Sequence, residues 1–165
     1  MRAVQPLRLS CGILLAILVI YISIGPVAIL AKQLPSDRCA LLPASELQKV
    51  LGGSFGQPTS HSAPPPYRNV PAGTECDYGA AQGDGETRFI VYVDPSAAIA
   101  KETFEKLMMW FPAKSKLAHL GDNAYIDKGG AIHVLKGSVR FYIGVTPDAK
   151  DAQLVDLATS VLGRL

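Results

Sequence analysis

Three stretches of the chain repeat apolar residues at the spacing of an α-helix. They cover residues 43–51, residues 94–111 and residues 146–165. The glycine pair at 52–53 and Pro112 are expected to end the first two helices, because glycine accepts a left-handed backbone and proline cannot continue a helix. The apolar positions are, in chain order, Leu47, Val50 and Leu51; Ala100, Phe104, Leu107, Met108 and Phe111; and Leu154, Leu157, Ala158, Val161, Leu162 and Leu165.

Between these helices, runs of β-branched and aromatic residues predict strands. The predicted strands cover residues 75–80, 87–93, 124–127, 131–136 and 139–145. The last two are joined by a two-residue hairpin turn at Gly137-Ser138. Residues 53–74, with three prolines at 64–66, predict a mobile loop with at most one edge strand near residues 57–62. Residues 113–123 predict a basic loop.

The predicted order is therefore helix, strands, helix, strands, helix. The simplest arrangement that buries the apolar side of every element is one antiparallel sheet of five to six strands with the helices on one face. This predicts an α+β domain, preceded by an N-terminal apolar helix that serves as a targeting segment or anchor.

The N-terminal segment is apolar without interruption by charge. Residues 11–31 contain no charged residue, and Arg2 and Arg8 precede them. This run of 21 residues favours a membrane anchor, since about 20 residues cross a bilayer. Gly25-Pro26 shortens the apolar core to 14 residues, which is within the roughly 7–15 of a secretion signal. We expect residues 1–31 to be a signal peptide or a single transmembrane anchor, residues 32–38 a linker, and residues 39–165 an extracytoplasmic domain, periplasmic or on the cell surface.

The charge of the chain belongs to its N-terminus. The net charge is +2, and the 14 acidic residues all lie in residues 32–165 together with 14 of the 16 basic residues. The predicted domain is therefore neutral. A nucleic-acid partner is not expected, because it would need a concentrated basic surface. The membrane is an expected partner through residues 1–31 if that segment is retained.

Two cysteines, Cys39 and Cys76, lie in the predicted extracytoplasmic part. Thiols oxidise outside the cytoplasm, so a disulfide is expected, closing a loop of about 37 residues and stabilising the fold by about 3–4 kcal/mol. A zinc site with His61 and His119, or a nucleophilic Cys39, are the alternatives. No zinc-binding spacing is present in the sequence, and we expect no metal and no cofactor.

The hairpin at Gly137-Ser138 sorts the side chains of the sheet. It places His133 opposite Tyr142 and Leu135 opposite Arg140. These four side chains lie on the sheet face opposite the one that carries the apolar core residues. The hypothesis is that one sheet face carries Arg88, Tyr92, His133, Arg140 and Tyr142 together. Such a face could hold an anionic or ring-bearing ligand, because guanidinium groups match anions and rings stack. A solvated sheet face, and a surface for a protein partner or a homodimer, are the alternatives.

Three short motifs carry a family resemblance. They are Cys39-Ala-Leu-Leu followed by Glu46 and Leu51-Gly52, then Cys76-Asp-Tyr78, then Leu120-Gly-Asp-Asn-Ala124. This pattern resembles a broad group of small exported bacterial domains of uncharacterised function, many carried on lipoproteins or single membrane anchors. The resemblance covers roughly residues 38–165 and implies an α+β fold with paired cysteines. It brings no catalytic residues, and Pro43 stands where a helix-capping serine or threonine is expected.

The function expected from these features is that of an exported, non-enzymatic binding or interaction domain of unknown ligand, tethered to the membrane if its N-terminal segment is retained. The alternative is an extracytoplasmic hydrolase or redox enzyme with a site assembled from loops. A deep cleft that converges on a histidine with acids nearby would favour the enzyme, and a shallow sheet face would favour binding.

Overall fold

Seven strands and three α-helices follow one another in the computed structural model, which describes residues 33–80, 85–147 and 149–165. After a 3-10 turn at Arg38–Leu41, the elements are α1 (Ala44–Leu51), β1 (Thr59–Ala63), β2 (Gly73–Gly79), β3 (Glu86–Val93), α2 (Ala97–Trp110), β4 (Ala113–Leu117), β5 (Asn123–Asp127), β6 (Ile132–Lys136), β7 (Val139–Thr146) and α3 (Asp151–Leu162). The predicted targeting segment at residues 1–31 lies outside the described residues. Within the described residues, no helix is both long and apolar enough to cross a membrane.

All seven strands form one sheet in the order β1-β2-β3-β7-β6-β5-β4, and every neighbouring pair is antiparallel. The sheet consists of two meanders, β1 to β3 and β4 to β7, which meet where β3 pairs with β7. The prediction of an α+β fold with a single antiparallel sheet is confirmed. The strand number is seven rather than five to six.

The additional strand is β4, in the segment that was expected to be a basic loop. Lys114 and Lys116 are exposed, whereas Ala113, Ser115 and Leu117, which alternate with them, are half-buried. This is the alternation of an edge strand, and lysine on an edge is a common protection against pairing with other chains. β1, at the opposite edge, is the edge strand expected near residues 57–62.

The last helix begins later than the sequence indicates. Thr146 pairs with Glu86 and is the final residue of β7, so it does not cap a helix. The helix starts at Asp151, and its first turn is closed by the Gln153 side chain, whose Oε1 accepts a hydrogen bond from the Lys150 backbone N–H at 3.0 Å. Extending β7 to residue 146 gains sheet hydrogen bonds that a helix starting at Thr146 would forgo.

One face of the sheet, here called the closed face, is covered by α1 and α3. Its buried side chains include Phe89, Phe141 and Ile143 from the strands and Leu47 and Leu154 from the helices. A Cys39–Cys76 disulfide joins the first 3-10 turn to β2 on this side, as expected. The hydroxyl of Tyr78 donates to the backbone oxygen of Leu42 at 2.5 Å, which fixes the same turn against the sheet.

The opposite side, here called the open face, carries α2. Ala100 and Phe104 of this helix pack on Tyr125 and Leu135, whose strand neighbours point to the closed face. The expectation that all helices lie on one face is therefore wrong for α2. The reason is topological, because α2 connects β3 in the middle of the sheet to β4 at its edge and must cross a face, while α1 and α3 occupy the other.

Candidate functional site

A groove with a volume of about 510 Å³ lies on the open face, between the end of α2 and the proline segment that follows β1. Strands β3, β6 and β7 form its floor. The lining residues are Pro64, Pro65, Pro66 and Tyr67 from the proline segment; Arg88, Ile90, Tyr92, His133 and Tyr142 from the strands; and Leu107, Trp110 and Phe111 from α2 and the residue that follows it. This volume is within the range of small-molecule sites, about 300–1,000 Å³.

The five residues of the sequence hypothesis all lie on the open face. His133 pairs with Tyr142, as the hairpin parity predicts, and Arg140 pairs with Tyr92 of β3. Arg88, Tyr92, His133 and Tyr142 line the groove, whereas Arg140 is buried beneath it. The structure therefore brings four of the five side chains to one cavity.

Arg140 is committed to an ion pair. Its Nε lies 2.5 Å from one carboxylate oxygen of Asp94, and its Nη2 lies 3.0 Å from the other, so the pairing is bidentate. Both side chains are almost fully buried, and the guanidinium carbon lies 4.7 Å from the centre of the Tyr92 ring. Asp94 follows β3 and precedes α2, so this pair anchors the start of the helix that walls the groove. Because the guanidinium of Arg140 and the carboxylate of Asp94 neutralise each other, Arg140 is not available to bind an anionic ligand.

Arg88 is surrounded by acids. Its Nε lies 2.8 Å from Glu75 and 3.4 Å from Asp77, and its Nη2 lies 3.5 Å from Glu86. The side chain is half exposed, so each of these pairs is screened by water. Three carboxylates around one guanidinium nevertheless leave the surface beside Arg88 negative.

His133 is held by Asp127 and by rings. Its Nε2 lies 2.8 Å from Asp127 Oδ2, and both side chains are buried. The imidazole stacks on Tyr125 at a centroid distance of 4.6 Å and meets the edge of Tyr142 at 5.1 Å and the ring of Phe111 at 5.7 Å. Burial lowers the pKa of His133, and the hydrogen bond and charge of Asp127 offset this only in part. The neutral ring therefore donates from Nε2 to the carboxylate and leaves Nδ1 as an acceptor.

Two glycines make room for the tyrosines of the floor. A Cβ at Gly73 would lie 2.7 Å from the Tyr92 ring, and a Cβ at Gly144 would collide with the Tyr142 hydroxyl. Tyr92 donates a hydrogen bond to the backbone oxygen of Pro64 at 3.1 Å, which ties the proline segment to the floor. Burial raises the pKa of both phenols, so both stay protonated at neutral pH. The absent Cβ atoms thus let both rings lie flat across the sheet.

The wall formed at the end of α2 was not part of the sequence hypothesis. Trp110 is 73% exposed, Phe111 is 47% exposed, and both line the groove beside Leu107. Tyr67 lies on the other side, with the ammonium of Lys106 5.7 Å from its ring centre. The apolar period predicted that Phe111 is on the buried side of the helix, but the sequence holds no signal that α2 faces the proline segment.

The other candidate residues lie away from the groove. Cys39 and Cys76 are joined to each other, so neither is a free nucleophile or a zinc ligand. His61 is exposed on β1, 3.8 Å from Asp77, and His119 is exposed in the turn before β5. Among the described residues no group of three or more histidine, cysteine or acidic side chains could hold a metal ion.

The sequence matches no protein-family model. It also matches no curated protein. The fold is similar to the crystal structure of the extracellular domain of PknH from Mycobacterium tuberculosis, with a TM-score of 0.53 and 13% sequence identity. The similarity covers 81% of this chain and 97% of that domain. At this identity the likeness concerns the fold.

Proposed function

We propose that this chain is an extracytoplasmic binding domain, without enzymatic activity, whose groove holds a small ring-bearing ligand. The observation that carries the proposal is that the groove is lined by aromatic side chains while its charged side chains are already paired with each other. Trp110, Phe111, Tyr67 and Tyr142 face one cavity, while Arg88 of the floor and the buried Arg140 are already paired with carboxylates. A ligand therefore meets mainly aromatic surface, which binds rings through offset or edge contacts.

Three features support a location outside the cytoplasm. The apolar residues 11–31 have the character of a targeting segment, and the Cys39–Cys76 disulfide suits an oxidising compartment. The structural neighbour is itself an extracellular domain. The proposal includes membership in the group of small exported bacterial domains that the sequence motifs resemble. Mass spectrometry of exported fractions without reductant tests the location. A linked pair of Cys39 and Cys76 peptides is expected there, and free thiols in a cytoplasmic fraction would contradict it.

The single tryptophan of the chain gives the binding test. Trp110 is the only tryptophan and lies at the groove, so fluorotryptophan incorporation gives one fluorine NMR signal that reports on the cavity. The probe is naphthylmethanol, an uncharged ring compound, added to the full-length chain held in amphipol. A saturable shift of the Trp110 signal is expected at micromolar to millimolar concentration.

The control compares two added rings. Ile90→Phe fills the floor of the groove and is expected to weaken naphthylmethanol binding about tenfold, the effect of about 1.4 kcal/mol. Ser45→Phe adds the same ring at an exposed position of α1, away from the groove, and is expected to leave binding unchanged. No saturable shift in the unmodified chain, or equal weakening by both variants, would contradict the proposed function.

One observation favours a second candidate, an enzyme that hydrolyses a ring-bearing ester. Asp127 orients His133 at the groove floor, and an imidazole with a free Nδ1 can act as a general base on water. Hydrolysis of naphthyl acetate by the full-length chain tests this. An enzyme would lose activity in His133→Gln and keep it in His61→Gln, whereas equal rates in the two variants would remove this candidate.

A further inference from the structure

The acidic side chains next to the groove floor outnumber the basic ones. Glu75, Asp77 and Glu86 surround Arg88, which leaves two negative charges beside the part of the floor that Arg88 forms. Asp127 of β5 pairs with His133 of the floor, and because burial keeps that imidazole neutral, the pair leaves one more negative charge. The buried Arg140–Asp94 pair is neutral. The residues next to the groove floor therefore carry an excess of negative charge, whereas the chain as a whole has a net charge of +2.

The rings around this floor are of the kind that attracts cations. The face of an aromatic ring is negative, and Trp, Tyr and Phe hold ammonium or guanidinium groups within about 6 Å of their centres. Two rings of the groove already do so, since Arg140 lies 4.7 Å from the Tyr92 ring centre and Lys106 lies 5.7 Å from that of Tyr67. Among the described residues, no cation is recorded over the rings of Trp110, Phe111 and Tyr142.

The unpaired hydrogen-bonding atom of His133 on the floor also favours a cationic ligand. The neutral His133 ring presents Nδ1, which accepts a hydrogen bond, because its Nε2 is committed to Asp127. A carboxylate or phosphate ligand would meet this acceptor and the excess negative charge at once. A ligand with an N–H donor and a positive charge would be attracted by both.

We propose that the groove selects small organic cations, ring-bearing amines or quaternary ammonium compounds, over neutral and anionic molecules of the same shape. This inference rests on the proposed function and names its ligand class. It replaces the anionic ligand of the sequence hypothesis, because both arginines that suggested it are neutralised by their neighbours. The volume of about 510 Å³ suits a molecule of one or two rings rather than a macromolecule.

Three matched probes test the selection in the Trp110 fluorine NMR assay. Naphthylmethylamine is cationic at neutral pH, naphthylmethanol is its uncharged counterpart, and naphthoate is anionic. The cation is expected to bind about tenfold tighter than the alcohol, and the anion more weakly than either. The advantage of the cation is expected to shrink as salt is added, because the groove is open to water.

The carboxylates are tested with one pair of variants. Glu75→Gln removes a negative charge beside Arg88 and is expected to weaken the amine severalfold while leaving the alcohol unchanged. Glu105→Gln removes an equal charge from the exposed side of α2, where Glu105 lies 3.9 Å from Lys101, and is expected to change neither.

The outcomes separate this inference from the proposed function. Equal affinity for the amine and the alcohol, or tighter binding of naphthoate, would overturn the cation selection while leaving a ring-binding groove. The same holds if Glu75→Gln weakens both probes alike. Absence of binding by all three probes would overturn both proposals.

Discussion

The two faces of the sheet come from the same strands and differ in how their side chains are satisfied. On β3, Phe89 and Val91 enter the closed face and are buried by helices, whereas Arg88, Ile90 and Tyr92 enter the open face and line the groove. The closed face is stabilised by removing apolar surface from water. The open face holds its polar side chains in place by pairing them with each other. One alternation of the chain therefore builds a stable core and a preorganised surface together.

The disulfide and Tyr78 belong to the closed face. Both connect the segment before α1 to β2, and both are buried there. On the open face the comparable ties are ionic or aromatic, as in the Arg140–Asp94 pair and the stack of His133 on Tyr125. Stability and binding can thus be altered separately, and substitutions on the two faces test this.

The largest effect is expected on the closed face. Phe89→Ala removes a fully buried ring that meets Phe141 at a centroid distance of 6.1 Å, and it should lower the free energy of unfolding by about 3–5 kcal/mol. Ile90→Ala, the next residue on the same strand, faces the groove and is half-buried, so a smaller loss is expected. Urea unfolding of the purified variants measures both. Equal losses would mean that the two faces do not differ as described.

A smaller loss is expected when the main ion pair of the open face is broken. Arg140→Met leaves the buried Asp94 carboxylate without its partner, which should cost about 3 kcal/mol of unfolding free energy. The double variant Asp94→Leu with Arg140→Met leaves no buried charge and is expected to recover most of that loss. A double variant as unstable as the single one would show that the two side chains stabilise the protein independently rather than as a pair.

The sequence predicted the parity of the strands well, because side chains alternate strictly along a strand. From this alone Arg88, Tyr92, His133, Arg140 and Tyr142 were placed on one face, as the register shows. The ion-pair partners of the two arginines could not be predicted from this alternation. Glu75 and Asp94 reach the arginines through strand pairing and a connection that no local pattern specifies. The hypothesis of an anionic or ring-bearing ligand took its anionic part from guanidinium groups whose partners were unknown.

Two errors in the predicted fold have local causes. The apolar stripe of α2 shows that the helix is buried on one side, but a stripe does not specify which sheet face it covers, and the crossing from β3 to β4 decides that. In β4, two lysines alternate with small or apolar residues over only five positions, a pattern too short and too polar to distinguish an edge strand from a loop. Without β4 and the placement of α2, the groove between the helix end and the prolines could not be foreseen.

The smallest effect is expected from acid, and it belongs to the open face. Because burial lowers the pKa of His133 below its usual value of about 6.5, the unfolded chain binds a proton there more readily than the folded one. Unfolding free energy should therefore fall as the pH drops from about 7.5 through 6.5, and level off below the folded pKa of His133.

His133→Gln retains a donor for Asp127 and should remove this part of the slope, while His61→Gln keeps His133 and should retain it. Among the described residues the closed face contributes no comparable group, since its buried side chains are apolar or disulfide-bonded apart from the phenol of Tyr78 and the hydroxyl of Thr87. An unchanged slope in His133→Gln would mean that Asp127 stabilises the charged imidazole as strongly as burial opposes it, and that folding does not lower the pKa of His133.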